Sequence, residues 1–305
     1  MKAFKSVVDL LKKFPNEKSC RAYLEHLRWG DSPCCPFCGS TDSYKFPSES
    51  RYRCKDCKKK YSATVGTIFE NTKIPLRKWF VAIYLLSAHK KGISSLQLSR
   101  DLGVTQKTAW FILHRVREML KDNDPQLFNS MVEVDETYIG GKRKNKHASK
   151  RKNNGASGWF RDEKTAVIGL VERNGKVISC PIPSATKGEV EKHIQKHVVK
   201  GSRIITDESP IYHRIKNDYN HTTVNHLSKQ YVVGDNHTNT IEGYWSLLKR
   251  GIYGIYHQVS PKHLHRYCTE FSYRYNTRKN FDDERFTNVI VRSEGKRLKY
   301  NELIG

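Results

Sequence analysis

The sequence predicts a multidomain chain: a small cysteine-held ribbon preceded by short helices over residues 1–64, a helical region over 65–124, an α/β domain with five strands over 125–290, and a tail over 291–305. Three observations predict it. Two Cys-x2-Cys pairs stand fifteen residues apart, apolar residues recur at helical spacing from Pro75 to Lys121, and from Met131 onward period-two apolar runs alternate with helical ones.

Charge narrows the class of partner. The 305 residues hold 55 Lys and Arg against 31 Asp and Glu, a net +24 that exceeds what solubility requires and calls for a polyanion. No apolar stretch approaches the roughly 18 residues of a membrane span, and Met1-Lys2-Ala3-Phe4-Lys5 lacks the apolar core of a secretion signal, so the expectation is a soluble cytoplasmic protein with no membrane partner. Of eight cysteines, four form the two pairs and Cys20, Cys34, Cys180 and Cys268 are scattered, which fits a reducing compartment.

In chain order, Val7, Leu10, Leu11 and Phe14, then Cys20, Tyr23, Leu24 and Leu27, predict one or two short helices with ordinary packing faces. Cys35 and Cys38, then Cys54 and Cys57, follow, with Tyr52 and Tyr61 in strand-like pieces around the second pair. Thiolates two residues apart can both turn toward one tetrahedral ion, and four soft ligands leave no open position for chemistry. The spacing therefore predicts one structural Zn2+. Cys34 is sterically able to replace Cys35 in a Cys-x3-Cys pair, but the two-residue gap matches the second pair.

Trp79, Ile83 and Leu86 form one helical stripe and Leu96, Leu98 and Leu102 the next, before a break at Gly103-Val104-Thr105. Ser94–Leu102, that break, and Gln106–Leu113 resemble a helix-turn-helix, with Gln106, Lys107 and Thr108 at the exposed start of the helix that would enter a major groove. An ordinary helical bundle gives the same pattern.

The polar break Asp122-Asn123-Asp124-Pro125 opens the α/β unit. Its first strand is Met131-Val132-Glu133-Val134-Asp135. Lys142 to Lys152 then places seven Lys or Arg in eleven residues, and Lys142, Arg143 and Lys144 are assigned to phosphate contact; a solvated loop is the plainer reading of such a run. Thr165–Val171 and Lys176–Cys180 flank Arg173-Asn174-Gly175, a hairpin signal. A helix over Glu189–Val199, a strand Arg203–Asp207, a helix over Pro210–Ile215, a short run at Thr222–Val224 and a helical pattern around Glu242 complete the order.

Asp135 and Asp207 each end a strand and Glu242 lies on a helix, so the three can converge. Singly they read as a strand-end cap, an Asx turn and a surface charge; their placement on matching elements makes them candidates for holding metal. Glu133 shares a strand face with Asp135 and rivals it, while Glu136 and Glu208 point the other way. Asn239, Glu242, Ser246 and Lys249 share one helix face. His226 and His237 flank this helix in sequence and read first as structural hydrogen-bonding groups.

The order of elements resembles the RNase H-like fold. That implies a mixed five-stranded sheet with its first and fourth strands adjacent at the centre, each with an acid at the same end. Val134-Asp135-Glu136-Thr137-Tyr138-Ile139-Gly140-Gly141-Lys142, Thr206-Asp207-Glu208, the run from His237 to Gly251, and Tyr273-Arg274-Tyr275-Asn276-Thr277-Arg278 resemble the bacterial insertion-sequence transposases of the DDE type that bear an N-terminal zinc ribbon. The resemblance implies two Mg2+ (or Mn2+) per active site, with Asp135 bridging and Asp207 and Glu242 taking one ion each. It also implies that Asn239 and Lys249 attend the third acid, Lys249 either touching the DNA phosphate or merely packing, and Arg250 is assigned to DNA. The Tyr273–Arg278 segment is expected on a closing helix near the catalytic face. The implied partner is double-stranded DNA, both terminal inverted repeats and target, bound at the nucleoid by a homodimer or larger synaptic complex. Two rivals stand beside this reading: an RNase H-like nuclease or resolvase that only hydrolyses, and a non-catalytic zinc-ribbon and helix-turn-helix regulator.

Overall fold

A computed structural model describes residues 4–46, 50–122, 127–141, 147, 164–224 and 237–305. The chain divides into two compact units, residues 1–120 with 279–305, and residues 121–278.

The first unit opens with α1 (Val7–Lys13), begun by Ser6, whose hydroxyl accepts the Asp9 N–H, and α2 (Glu17–Trp29), begun by a reciprocal Asn16–Ser19 capping box. Three short strands follow, β1 (Ser43–Phe46), β2 (Arg51–Cys54) and β3 (Lys60–Tyr61), joined as an antiparallel sheet in that order. Then come α3 (Leu76–Ala88), α4 (Ser95–Leu102) and α5 (Gln106–Leu120). Nine of the thirteen α3 residues are buried, among them Trp79, Phe80, Ile83 and Leu86, because the helix is apolar nearly all round and so sits at the middle of its unit. Ser94 caps α4 and Gly103 ends it at φ +58, a left-handed position that glycine adopts without strain.

The second unit is built on β4 (Met131–Ile139), β5 (Thr165–Glu172), β6 (Val177–Ile182), β7 (Arg203–Asp207) and β8 (Asn220–Val224) in the order β6-β5-β4-β7-β8. The β4–β5 and β5–β6 pairs are antiparallel and the β4–β7 and β7–β8 pairs parallel, the mixed sheet that the resemblance implies. Both faces are covered. On one, Val132, Val134, Ile168, Leu170 and Ile204 pack with Val190 and Ile194 of α6 (Lys187–His197) and with Tyr212. On the other, Val167, Val171 and Ile139 pack with Ile241, Tyr244 and Leu248 of α7 (Asn239–Gly251) and Phe271 of α8 (Leu264–Asn276). Double coverage explains why β5 is apolar from Ala166 to Val171 rather than alternating.

At the expected hairpin, β5 and β6 pair up to Val171–Val177, and Asn174 turns the chain at φ +60. The segment expected as a helix at Pro210 is a 3-10 helix, Pro210–Asn217, whose buried residues Tyr212 and Ile215 are three apart, the repeat of that tighter helix. In the Tyr273–Arg278 motif, Asn276 closes the sheet edge: its Oδ1 accepts the Val177 N–H at 2.7 Å and its Nδ2 donates to the Val177 carbonyl at 3.0 Å, as a neighbouring strand would.

The expected boundary at residue 290 is displaced. The α9 helix (Asp282–Val291) belongs to the first unit, where Phe286, fully buried, meets Phe4, Phe14, Tyr23 and Phe80 within 6.3 Å between ring centroids. The segment expected as a tail contains α10 (Tyr300–Ile304) with Leu303 buried. Burying Phe286, Val289 and Ile290 against α2, α3 and α5 outweighs continuity with α8 in sequence. No described helix is long and apolar enough to cross a membrane.

Candidate active site and zinc centre

Each cysteine pair lies in a tight turn whose next residue or two adopts a left-handed backbone, Gly39 at φ +76 and Lys58 at φ +57. Those turns bring four sulfurs together. Cys35 Sγ lies 3.6 Å from Cys57 Sγ, Cys38 Sγ lies 3.6 Å from Cys54 Sγ, and all four fall within 4.8 Å of one another. Zinc–sulfur bonds of about 2.3 Å in a tetrahedron place sulfurs about 3.8 Å apart, so the cluster fits Zn2+ and supports a structural zinc. Cys54 is held down to about 6 by the Cys57 and Asp56 N–H groups, which favours the thiolate. Cys34 turns away, its sulfur donating to the Gly39 carbonyl at 3.3 Å, so the ligand register is Cys35, Cys38, Cys54 and Cys57. Replacing Cys35 by serine is expected to lower bound zinc from one to near zero per chain, and Cys34→Ser to leave it at one, as measured by metal analysis of the purified protein.

In the second unit, β4 and β7 pair in parallel as Met131–Arg203, Val132–Ile204 and Glu133–Ile205. Carried forward two residues, that register sets Asp135 level with Asp207 on the sheet face that α7 covers. Burial, then the carboxylates of Glu136 and Asp207, raise Asp135 to about 7, against the pull of hydrogen bonds from Trp245 and the Glu136 N–H. Its Oδ1 accepts the Glu136 N–H at 2.8 Å and its Oδ2 accepts Trp245 Nε1 at 2.8 Å. Asp207 Oδ1 accepts the Ser209 N–H at 3.0 Å. The charged neighbours that shift Asp135 are thus acids, and a hard-oxygen donor set with crowded negative charge suits a divalent ion such as Mg2+ or Mn2+.

Trp245 reaches Asp135 because its strand neighbour is glycine. Gly169 pairs with Asp135 across β4–β5, and a Cβ there would stand 2.6 Å from the Trp245 ring and 3.2 Å from Ile241 Cδ1. The close approach lays the first turns of α7 over the Asp135 row. Gly169→Ala is expected to push the indole off, costing about 1–3 kcal/mol in urea unfolding.

Glu242 occupies the first turn of that helix and is exposed, with Oε1 accepting from Thr238 Oγ1 at 3.1 Å. Asn239 and Lys249 lie on the same side of α7, exposed and half-buried. The three carboxylates are not drawn into one coordination shell: among the described residues, the four-cysteine cluster is the one group of three or more His, Cys, Asp or Glu ligands within 4.8 Å of one another.

Glu133, the rival to Asp135, has a different job. It is fully buried and accepts the Thr240 and Ile241 N–H groups, each at 3.0 Å, and Thr240 Oγ1 at 2.8 Å, which caps the start of α7 from the neighbouring strand. Arg173 pairs with it at 2.8 Å and also donates to the His237 carbonyl at 3.1 Å. His237 is thereby part of the clamp, and His226 lies outside the described residues. Glu136 sits on the opposite sheet face, where it accepts from the buried Tyr212 hydroxyl.

The ISXO2-like transposase domain matches residues 127–276, and the transposase zinc-ribbon domain matches residues 15–60. This chain belongs to the zinc-ribbon insertion-sequence transposases. The transposase is 28% identical over 275 residues to an uncharacterized protein in transposable element ISH50 of Halobacterium salinarum, covering 87% of this chain and 92% of that one. Among solved structures it is similar to the Mos1 strand transfer complex (14% identity, 72% of this chain, 79% of that chain, TM-score 0.23) and to a pre-cleavage Mos1 transpososome (16%, 71%, 79%, 0.23).

At the start of α5 in the transposase, Gln106 donates to Ser95 Oγ at 3.1 Å, Lys107 Nζ lies 4.9 Å from the Tyr300 ring centre, and the Thr108 N–H is capped by Thr105 Oγ1 at 3.2 Å. Gln106 and Lys107 are exposed and Thr108 half-buried. Arg250 is exposed, its Nε donating to the Ser246 carbonyl at 3.1 Å. Lys142, Arg143 and Lys144 lie outside the described residues. Trp245 and Gly169 were missed from the sequence although each left a signal: a lone glycine inside the apolar run Val167–Val171 marks a close approach, and a tryptophan on a packed helix face needs a partner for its N–H.

Proposed function

We propose that this transposase binds the terminal inverted repeats of an insertion sequence and catalyses divalent-metal-dependent cleavage and strand transfer at Asp135, Asp207 and Glu242. The observation that supports it most is the level placement of Asp135 and Asp207 on adjacent central strands, under the helix that bears Glu242. When bound, two divalent ions would activate the attacking water or 3′-hydroxyl and neutralise the leaving oxygen. Asp135, Asp207 and Glu242 would hold the ions, and Asn239 and Lys249 would attend the scissile phosphate. Trp245 fixes the Asp135 carboxylate, and the Glu133 clamp sets the start of the helix that presents Glu242.

On this reading α4, Gly103 and α5 serve as a helix-turn-helix with Gln106, Lys107 and Thr108 toward bases, while Arg250 and Lys142, Arg143 and Lys144 meet phosphate. The net +24 favours DNA as partner, and joining two ends calls for a homodimer or larger complex at the nucleoid. The test is an assay of labelled linear element ends with Mg2+ or Mn2+. Joining to a second duplex supports transposition, whereas nicking alone would make the chain a nuclease and binding without either a regulator.

A further inference from the structure

The zinc ribbon has two chemically opposite faces. Side chains alternate along its strands, and the inner face holds Tyr52, Cys54 and Tyr61, all buried, beside Trp29. The outer face is set by the cross-strand rows Tyr44–Arg53–Lys60 and Phe46–Arg51. It thus consists of two aromatic rings and three cations, with no carboxylate among the five. Acids near the ribbon among the described residues have other partners or sit elsewhere: Glu17 and Glu70, which line a cavity with Arg51 and Lys60, pair with Arg21 at 3.3 Å and Arg297 at 2.9 Å, Asp42 pairs with Lys55 at 2.7 Å, Glu25 bonds Lys45 and Tyr52 on the inner side, and Asp56 is in the second cysteine turn.

The rings and cations are in contact. Lys60 Nζ stands 4.8 Å from the Phe46 ring centre, Arg53 Nη1 donates to the Tyr44 hydroxyl at 3.4 Å, and the Tyr44 and Phe46 centroids are 5.1 Å apart. Phe37 and Lys59 repeat the pairing in the cysteine turns at 4.9 Å. Tyr44 is 41% exposed and Phe37 49%, so both rings present area to solvent. A solvated sheet face has no need of exposed rings bracketed by Arg and Lys; a strand of nucleic acid uses both, bases stacking on rings while phosphates meet the cations. The geometry also discriminates between forms of DNA. A helix or a two-stranded ribbon enters a major groove, whereas a three-stranded sheet with rings on its open face meets bases already out of the stack.

We propose that the outer face of the zinc ribbon, Tyr44 and Phe46 framed by Arg51, Arg53 and Lys60, is a stacking platform for unpaired bases of single-stranded DNA. The inference takes its ligand class from the reading of this chain as a DNA-binding transposase and is independent of the three acids. Strand exchange exposes single-stranded DNA, so the platform would hold a strand that the groove-reading helix cannot.

The test uses the full zinc-loaded chain and fluorescence anisotropy with a labelled 12-nucleotide oligo-dT and a labelled 20-base-pair duplex. Each ring removed is expected to weaken oligo-dT binding by about tenfold, so Tyr44→Ala with Phe46→Ala loses about a hundredfold. Duplex affinity should stay within about twofold and zinc at one per chain, which shows that the ribbon is intact; Tyr44→Phe, which keeps the ring, should bind as the parent does. Arg53→Gln should lower the salt dependence of oligo-dT binding by about one counterion. An unchanged oligo-dT affinity in the double variant, or an equal loss on both DNAs, overturns the platform. Parent chain that binds duplex but not oligo-dT overturns it and leaves the transposase reading standing, whereas failure to bind either DNA removes both.

Discussion

Asp135→Asn is expected to lower metal-dependent cleavage and joining by on the order of a thousandfold or more, while duplex binding and thermal stability persist. The magnitude follows from losing the charge that would hold both ions, several kcal/mol of transition-state stabilisation at about 1.4 kcal/mol per factor of ten. Stability holds because asparagine keeps the volume and an oxygen to accept Trp245 Nε1, and because the charge it removes is one that burial, Glu136 and Asp207 already disfavour. Asp207→Asn should behave alike. Glu242→Gln is the sharper comparison, since Glu242 is exposed and stands outside a common coordination shell with the other two in the structure. Full activity in Glu242→Gln would shift the third role to Asn239 or Lys249 on the same helix face, and more than a tenth of parent activity in Asp135→Asn would sink the proposed chemistry altogether.

How much of this was legible in the sequence depended on the range of the interaction. The cysteine turns, the Asn174–Gly175 hairpin and the strands that carry Asp135 and Asp207 are local patterns, readable because period and turn chemistry act over a few residues; the expected end at Asp135 is wrong, since β4 runs on to Ile139 through its pairing with β5 and holds Asp135 mid-strand, whereas β7 does end at Asp207. The sheet order was reached only through resemblance, since the parallel β4–β7 pairing joins residues 72 apart and leaves no local mark. Three features stayed hidden. The return of α9 to the first unit depends on Phe286 joining an aromatic cluster more than two hundred residues away, which no local pattern near residue 286 announces. The Pro210 segment has an apolar spacing of three, which fits both helix types until hydrogen bonds are seen. Glu133 and Asp135 are alike in residue class, strand and face, so what separates them is which side chains come to meet them, and those arrive from 40 to 110 residues further along.

Glu133→Ala is the substitution that separates the two acids. It is expected to cost about 3–5 kcal/mol in urea unfolding, the range for removing one partner of a buried ion pair, because the guanidinium of Arg173 and the Thr240 and Ile241 N–H groups all lose the oxygen that answers them. Activity would fall as well, but through the helix: with its start uncapped, α7 frays where Glu242 sits, and amide exchange at Thr240 and Ile241 should speed up before the sheet opens. Glu133→Gln should fall between, since its amide oxygen can still accept the N–H groups while its NH2 faces Arg173 without a charge to offer. Asp135→Asn makes the opposite pattern, chemistry lost and fold kept. If Glu133→Ala instead unfolds within about 1 kcal/mol of the parent and yet no longer cleaves DNA, then Glu133 would itself be a member of the chemical site, and the clamp would be the wrong account of why a carboxylate is buried two residues before Asp135.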